Sequence, residues 1–265
     1  MNQLNVNLPE LPYAVSEAMN RLRINIKFCG KNTRKILLTS CQPNEGKSTI
    51  SSYLWKMLAE AGFPTVLVDV DLRKSVMKTR FQMDYDDDTT MGLNHYLSGM
   101  AEYEDVIYST NIPNGYMVPC TQLLENPSAL LEDVRFKELL NTLSENYRFV
   151  IIDSPPLGSV SDGALIASLC DGAVLVVRAG TTPRTLIKQS LYEIQAVWLQ
   201  APRYSSEPCR CKRDVLMASM AMENTVMVMD TAMVMSLRIR KTALTPLPQI
   251  RILPETNRLY YFYRL

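Results

Sequence analysis

The stretch that most constrains the fold of this chain is residues 40–49, Ser-Cys-Gln-Pro-Asn-Glu-Gly-Lys-Ser-Thr. It follows a short apolar run at residues 36–38 and precedes apolar residues at helical spacing. A strand, a tight loop and a helix in this order are the context of a phosphate-binding loop. Cys41 replaces the first glycine of the common pattern, so the prediction depends on the flanking strand and helix as well as on Gly-Lys-Ser.

This loop contains the groups that bind a polyphosphate. Its backbone amides and the positive end of the following helix would bind phosphate oxygens. Lys47 would reach the terminal phosphates, and the Ser48 hydroxyl would bind a magnesium ion. The predicted nucleotide-binding residues are Asn44, Glu45, Gly46, Lys47, Ser48 and Thr49.

Carboxylates follow two further apolar runs. Asp69 and Asp71 come where the run at residues 65–68 ends, and a period of two places them on the same side. The run at residues 149–152 predicts a strand buried on both faces, and it ends at Asp153, in the position of a magnesium-binding carboxylate. A polar loop after a strand would explain either Asp69 or Asp71 alone. Because the carboxyl ends of parallel strands share one sheet edge, we expect these groups to meet.

The order of these segments predicts the fold class. Strands and helices alternate, which is typical of an α/β fold of the P-loop NTPase type, with a mostly parallel sheet and helices on both faces. Helices are predicted at residues 13–28 and 133–146. Residues 1–12 are read as an extended arm, and residues 75–125 as irregular apart from a short helix around His95, which we take as structural.

Composition excludes several classes of function. The net charge of +1 gives no overall field that would attract nucleic acid or an anionic membrane. The six cysteines show no zinc-ligand spacing, and we expect reduced thiols in the cytoplasm. Glu223 and Asp230 interrupt the apolar stretch at residues 215–237, which argues against a membrane span.

At this point the motifs resemble those of the bacterial tyrosine kinases of capsule and exopolysaccharide synthesis, over residues 16–197. Residues 40–49 resemble that family's Walker A motif, and residues 150–156 its Walker B motif. Residues 66–73 resemble its additional Asp-x-Asp-x-Arg motif, called Walker A′, which is its most diagnostic feature. The chain resembles the cytoplasmic form, in which the activator is a separate membrane protein.

The resemblance implies phosphoryl transfer from ATP to tyrosine, with ATP and Mg²⁺ as cofactors. Lys47 would stabilise charge on the transferred phosphate, and Ser48, Asp71 and Asp153 would hold magnesium. Asp69 is our candidate for the base that takes the phenol proton. In such kinases the acceptor tyrosines lie in a C-terminal tail, and possible acceptors here are Tyr260, Tyr261 and Tyr263.

The resemblance also implies partners and a location. The chain would form a homo-oligomer that phosphorylates itself between subunits, with a membrane-embedded polysaccharide co-polymerase as activator and a tyrosine phosphatase as antagonist. It would lie in the cytoplasm, at the inner face of the membrane, and bind no nucleic acid. Glu17 and Arg23 resemble the family's oligomerisation motif Glu-x-x-Arg-x-x-Arg, but Asn20 holds the middle position and Arg21 is displaced by one. A solvated ion pair between Glu17 and Arg21 is the alternative.

Two other functions stay open. One is a partition or septum-placement ATPase of the same P-loop class, which has a second lysine early in the loop where this chain has Gln42. The other is a non-catalytic scaffold that binds nucleotide and assembles with a membrane partner.

The resemblance ends after Val197. In the segment that follows, 7 of the chain's 15 methionines lie within residues 217–235, and several of them alternate with Ala or Val. A Tyr-Gly repeat encoded TAT GGT TAT GGC becomes Met-Val-Met-Ala when read one base late. We therefore hypothesise a frameshift near Trp198, which the coding DNA can test; a native Met-rich extension is the alternative. A frameshift would leave the sheet without an edge strand.

The predicted organisation has three parts. Residues 1–30 are the arm and the oligomerisation-type helix, residues 31–197 the P-loop kinase domain, and residues 198–265 an atypical C-terminal segment.

Overall fold

The computed structural model describes residues 3–86, 89–158, 162–200, 215–223 and 226–228. In these residues nine strands form one sheet in the order β1-β4-β5-β3-β6-β2-β7-β8-β9. The strands are β1 (Gln3–Leu4), β2 (Lys35–Ser40), β3 (Thr65–Asp69), β4 (Tyr108–Thr110), β5 (Gly115–Val118), β6 (Phe149–Asp153), β7 (Gly172–Arg178), β8 (Val215–Glu223) and β9 (Val226–Val228). The helices are α1 (Tyr13–Phe28), α2 (Lys47–Glu60), α3 (Met77–Arg80), α4 (Leu93–Leu97), α5 (Ser128–Glu132), α6 (Val134–Asn146), α7 (Asp162–Ser168) and α8 (Arg184–Gln200).

The pairing of the strands confirms the predicted fold class. All neighbouring pairs are parallel except β4 with β5 and β8 with β9. β2 lies between β6 and β7, and β6 in turn pairs with β3. Every residue of β3 and β6 is buried, as expected for apolar strands covered on both faces. The carboxyl ends of β2, β3 and β6 therefore lie side by side.

Helices cover both faces of this sheet. The predicted helix at residues 13–28 is confirmed as α1, whose apolar stripe joins β2 and α2 in one buried cluster. The predicted helix at residues 133–146 is α6, which contributes to a second cluster. The buried residues of these two helices are Val15, Ala18, Met19, Leu22 and Ile26 in α1, and Phe136, Leu139, Leu140 and Leu143 in α6.

The prediction that residues 75–125 are irregular is wrong. This segment contains the hairpin of β4 and β5 and the short helices α3 and α4. Asn114 takes a left-handed backbone at φ 61° in the turn between the strands. The segment was missed because its strands are only three and four residues long, and β5 pairs with the distant strand β3. The short helix around His95 is confirmed as α4, and the His95 ring accepts a hydrogen bond from the Gly92 amide at 3.0 Å.

The N-terminal arm belongs to the sheet and the buried core, which the sequence did not predict. β1 pairs in parallel with β4, and Val6 and Leu8 are buried in the same cluster as α1. Tyr53 of α2 also donates a hydrogen bond to the carbonyl of Pro9 at 2.6 Å. The arm therefore forms part of the core that supports α2.

The C-terminal segment supplies a strand to the sheet. β8 pairs in parallel with β7 from Ala173–Val215 to Arg178–Met220, whereas a frameshift was expected to leave the sheet without an edge strand. A segment rich in Ala, Val and Met can supply the backbone partners that an edge needs, whatever its origin. The suggested acceptors Tyr260, Tyr261 and Tyr263 lie outside the described residues.

The boundary placed between residues 197 and 198 falls inside α8. Trp198 is buried, and its indole nitrogen donates to the carbonyl of Ala167 at 2.6 Å. Within the described part of the chain, no helix combines the length and hydropathy needed to cross a membrane.

Candidate active site

The phosphate loop lies between the end of β2 and the start of α2. Asn44 and Gly46 take left-handed backbone conformations, at φ 65° and 96°, which produce the tight turn. Gly46 is the N-cap of α2 and has no side chain to bind the first-turn amides. These amides and the positive helix end are therefore available to an anionic ligand.

Glu45 stabilises this loop from inside. Its buried carboxylate accepts hydrogen bonds from the Gln42 amide at 2.8 Å and from the Thr182 hydroxyl, which follows β7. The Glu45 side chain therefore holds the loop against the neighbouring strand end, while its backbone remains part of the predicted phosphate site. Thr182 could not be identified from the sequence, because its role depends on a contact across 137 positions.

Cys41, which replaces the first glycine, is packed against the segment that follows β6. Its carbonyl accepts a hydrogen bond from the Gly158 amide at 3.2 Å. A Cβ atom on Gly158 would lie 2.5 Å from that carbonyl oxygen, so only glycine fits without displacement. Burial raises the pKa of the Cys41 thiol to about 11, which keeps it neutral. In the sequence, the only signal for Gly158 is that a glycine follows Pro155 and Pro156 closely, and this did not suffice to predict its role.

The strand ends bring the predicted ammonium, hydroxyl and carboxylate groups together. Lys47 Nζ lies 2.9 Å from Asp71 Oδ2 and 3.5 Å from Asp153 Oδ2. Ser48 Oγ donates to Asp153 Oδ2 at 2.7 Å, and Ser51 Oγ donates to Asp153 Oδ1 at 3.2 Å. Lys47, Ser48, Asp71 and Asp153 therefore form one buried polar cluster at the rim of the sheet.

Asp69, the last residue of β3, lies beside this cluster. It is 1% exposed and accepts hydrogen bonds from the Ser75 hydroxyl and, at 3.3 Å, from the Asp71 amide. Burial, reinforced by the charge of Asp153, raises the pKa of Asp69 to about 8. A carboxyl group with such a pKa exchanges protons close to neutral pH, which suits a general base.

The charges within the cluster favour a protonated Lys47. Burial alone would lower the pKa of this lysine, but the charges of Asp153 and Asp71 outweigh burial, so the pKa is raised. Burial likewise raises the pKa of Asp153, an effect that Lys47 opposes. The ammonium group thus compensates part of the negative charge at the strand ends.

These donors fit a magnesium ion that is also bound by phosphate. Nowhere in the described ranges do three His, Cys, Asp or Glu side chains form a group that could hold a metal alone. Magnesium, however, uses one or two carboxylates together with phosphate oxygens and water rather than an all-protein cage. The hydroxyl of Ser48 and the carboxylates of Asp71 and Asp153 match that requirement.

The residues predicted for oligomerisation lie elsewhere, on α1. Glu17 and Arg21 are exposed and Arg23 is half-buried. The alternative explanation of a Glu17–Arg21 ion pair is wrong, since these two side chains are not among the ion pairs of the described residues. The role of these residues in assembly remains a prediction.

The fold and this cluster define a P-loop protein of the AAA class. The sequence model of a family described as an AAA domain matches residues 33–198. The septum site-determining protein MinD of Pyrococcus horikoshii, solved with Mg-ADP, is 26% identical with a TM-score of 0.51, over 62% of this chain and 66% of that one.

Other relatives place the chain more narrowly. It is 41% identical to the tyrosine-protein kinase CpsD of Streptococcus agalactiae, over 68% of this chain and 77% of that protein. It is 31% identical to the tyrosine-protein kinase YwqD of Bacillus subtilis, over 64% and 70% of the two proteins. The crystal structure of the chimerical protein CapA2B2 matches with 33% identity and a TM-score of 0.64, over 71% of this chain and 81% of that one. The chain belongs to the family of bacterial tyrosine-protein kinases.

Proposed function

We propose that this protein is an ATP- and Mg²⁺-dependent protein-tyrosine kinase that phosphorylates other copies of itself. The observation that carries the proposal is the cluster of Lys47, Ser48, Asp71 and Asp153 beside the buried carboxyl group of Asp69. A P-loop ATPase needs the first four groups. A kinase needs a group that accepts the proton of the attacking hydroxyl, and Asp69 is suited to that role.

The residues of the cluster divide the work of phosphoryl transfer. The loop amides and Lys47 bind the phosphates, and the protonated Lys47 stabilises the negative charge that develops on them. Ser48, Asp71 and Asp153 would hold Mg²⁺, which neutralises charge on the β- and γ-phosphates when bound. Catalysis by such a site consists mainly of positioning and charge stabilisation.

Asp69 would receive the phenol proton. A free tyrosine has a pKa of about 10, so its hydroxyl is not ionised at neutral pH. A base with a pKa of about 8 is close enough to accept this proton as the bond to phosphorus forms. The elevated pKa that makes Asp69 a useful base results from its burial next to Asp153.

The wider role follows from family membership. We infer that the kinase regulates capsule or exopolysaccharide synthesis through a membrane-embedded co-polymerase, with a tyrosine phosphatase reversing the modification. Residues 31–197 would form the catalytic part. The exposed residues Glu17 and Arg21, with Arg23, would contact a neighbouring subunit during phosphorylation between subunits.

Incubation with ATP and Mg²⁺, followed by detection of phosphotyrosine, tests the activity. We expect the wild-type chain to become phosphorylated on tyrosine. In Lys47→Met, the rate of this phosphorylation should be at least 100-fold lower. Lys56→Met is the matched control, because Lys56 lies on the same helix and forms only a partly exposed 3.9 Å ion pair with Glu60. Phosphotyrosine that persists in Lys47→Met would contradict the assignment.

The rival functions give different products in the same assay. A septum-type ATPase would release phosphate without forming phosphotyrosine, and a scaffold would produce neither. Gln42 stands where those ATPases carry a second lysine, which favours the kinase. The similarity to MinD supports the shared nucleotide-binding fold and does not favour the ATPase over the kinase.

A further inference from the structure

Arg73, the arginine of the Asp-x-Asp-x-Arg motif, is bound by three residues from two separate segments of the chain. Its Nε donates to Asp162 Oδ2 at 3.0 Å, its Nη1 to the carbonyl of Glu125 at 3.0 Å, and its Nη2 to Ser128 Oγ at 3.0 Å. Ser128 Oγ in turn donates to Asp162 Oδ1 at 2.6 Å. We refer to Arg73, Ser128 and Asp162 as the Arg73 cluster.

The cluster is built around a buried charge. Asp162 is 1% exposed, and each of its carboxylate oxygens accepts a hydrogen bond from another member of the cluster. In the described part of the chain, Asp162 forms a single ion pair, which is with Arg73. A buried carboxylate of this kind requires a fixed partner, because without one its burial is costly. Asp162 therefore fixes the position of the Arg73 guanidinium.

Each nitrogen of the Arg73 guanidinium has a protein acceptor, and these bonds use three of its five N–H groups. Because Glu125, Ser128 and Asp162 hold the guanidinium in place, Arg73 is arranged as a positioning residue.

The position of Arg73 in the chain shows what it holds. It lies two residues after Asp71 and four after Asp69. Before it, the Leu72 carbonyl accepts from the Leu124 amide at 2.7 Å, and after it the Lys74 amide donates to Asp71 Oδ1 at 3.2 Å. The Arg73 cluster thus fixes the loop between two further contacts: the Leu72 carbonyl, which is bound by Leu124, and the Lys74 amide, which orients Asp71.

We propose that the Arg73 cluster positions the carboxylates of Asp69 and Asp71 for metal binding and proton transfer by joining their loop to α5 and α7. The proposal rests on the proposed kinase function, but its effect on metal-assisted nucleotide binding does not depend on turnover. When the cluster is broken, the loop loses its side-chain attachment to α5 and α7, while Lys47 and Ser48 keep their bonds to Asp153.

Two single variants and their combination test this. Arg73→Lys keeps the charge but not the three-way fork, and Asp162→Asn keeps the shape but not the charge. We expect each to lower kcat for phosphorylation of a tyrosine-containing peptide at least tenfold, with Kd for ATP measured in EDTA changed less than threefold. The Mg²⁺ concentration that gives half-maximal activity should rise at least threefold. Because both residues belong to one cluster, kcat of the double variant should be little lower than kcat of the less active single variant.

Arg148→Lys is the matched control. Arg148 donates to the carbonyls of Thr33 and Gly30 from the opposite end of β6, so the substitution removes similar hydrogen bonds far from Asp153. We expect its kcat to stay within twofold of the wild type. Thermal unfolding of every variant is measured in parallel, to show that the assays use folded protein.

The outcomes separate this proposal from the proposed function. If Arg73→Lys and Asp162→Asn keep kcat within twofold, or if ATP affinity in EDTA falls as much as kcat, the positioning role is wrong. If the wild type hydrolyses ATP without forming phosphotyrosine, the kinase proposal fails, and the same comparison is made on the hydrolysis rate. If the wild type shows no turnover, the factor by which Mg²⁺ tightens ATP binding is compared. A factor at least threefold smaller in Arg73→Lys supports the role, and an unchanged factor overturns it.

Discussion

The carboxyl group of Asp69 opposes folding in the metal-free protein at neutral pH. Its pKa of about 8 in the folded chain lies above the ordinary value of 3.8. Between these two values the folded chain keeps a proton that the unfolded chain has released, so this group makes stability fall as the pH rises through that window. Above pH 8 this loss of stability is complete, because Asp69 is then ionised in both the folded and the unfolded chain.

Asp69→Asn should therefore stabilise the protein while abolishing its activity. The amide can keep both contacts, with its oxygen accepting from the Asp71 amide and its nitrogen donating to Ser75. We expect the free energy of unfolding in EDTA at pH 8 to rise by on the order of a few kcal/mol, and by less at pH 5. Urea unfolding at the two pH values measures this.

The control for this prediction is Asp105→Asn, which changes an exposed carboxylate. The free energy of unfolding of this variant should show no gain over the wild type that increases with pH. A variant at Asp69 that is less stable than the wild type at pH 8 would contradict the prediction. The expected exchange of stability for activity is typical of functional sites that bury charge.

At the scale of elements, the phosphate loop depends on the segment that links β6 to α7. Gly158→Ala would place a methyl group 2.5 Å from the Cys41 carbonyl, and backbone on one side or the other must move. We expect a loss of about 1–3 kcal/mol in stability. We also expect at least fivefold weaker ATP binding, because the displaced backbone belongs to the loop itself.

Gly62→Ala is the control that separates these two effects. Gly62 follows α2 with a left-handed backbone at φ 86°, and a Cβ there meets no other atom within 4 Å. This variant should lose about 1 kcal/mol of stability through backbone strain alone and bind ATP like the wild type. Calorimetric titration of ATP into the two variants distinguishes them. Equal affinities would show that Gly158 does not shape the loop.

Across the whole molecule, local signals predicted the centre of the sheet but not its margins. The strands that end at Ser40, Asp69 and Asp153 each contain a run of apolar residues, because helices cover the sheet on both sides, and such runs can be recognised in one sequence. β4 and β5 are short, and β5 depends on the distant strand β3 for a partner, so no local pattern marks them.

The same distinction holds within the site. Lys47, Ser48, Asp71 and Asp153 could be predicted, since each follows a recognisable strand or loop. Asp162 could not, because its function depends on Arg73, 89 positions earlier in the chain. Long-range contacts of this kind leave no periodicity or spacing in the sequence.

The edge of the sheet beside β7 provides the last test. β8 pairs with six consecutive residues of β7, and removing it would expose a buried apolar strand to solvent and to other chains. We expect a chain ending at residue 200 to unfold at least 5 °C lower and to aggregate at lower concentration than the full chain. Thermal unfolding and light scattering measure the two effects. The truncated chain keeps Trp198, whose bond to Ala167 secures the end of α8, so a change would be due to the deleted residues rather than to that helix. Equal unfolding temperatures would show that residues 201–265 contribute nothing to the folded sheet, as expected if a shifted reading frame had replaced the native edge.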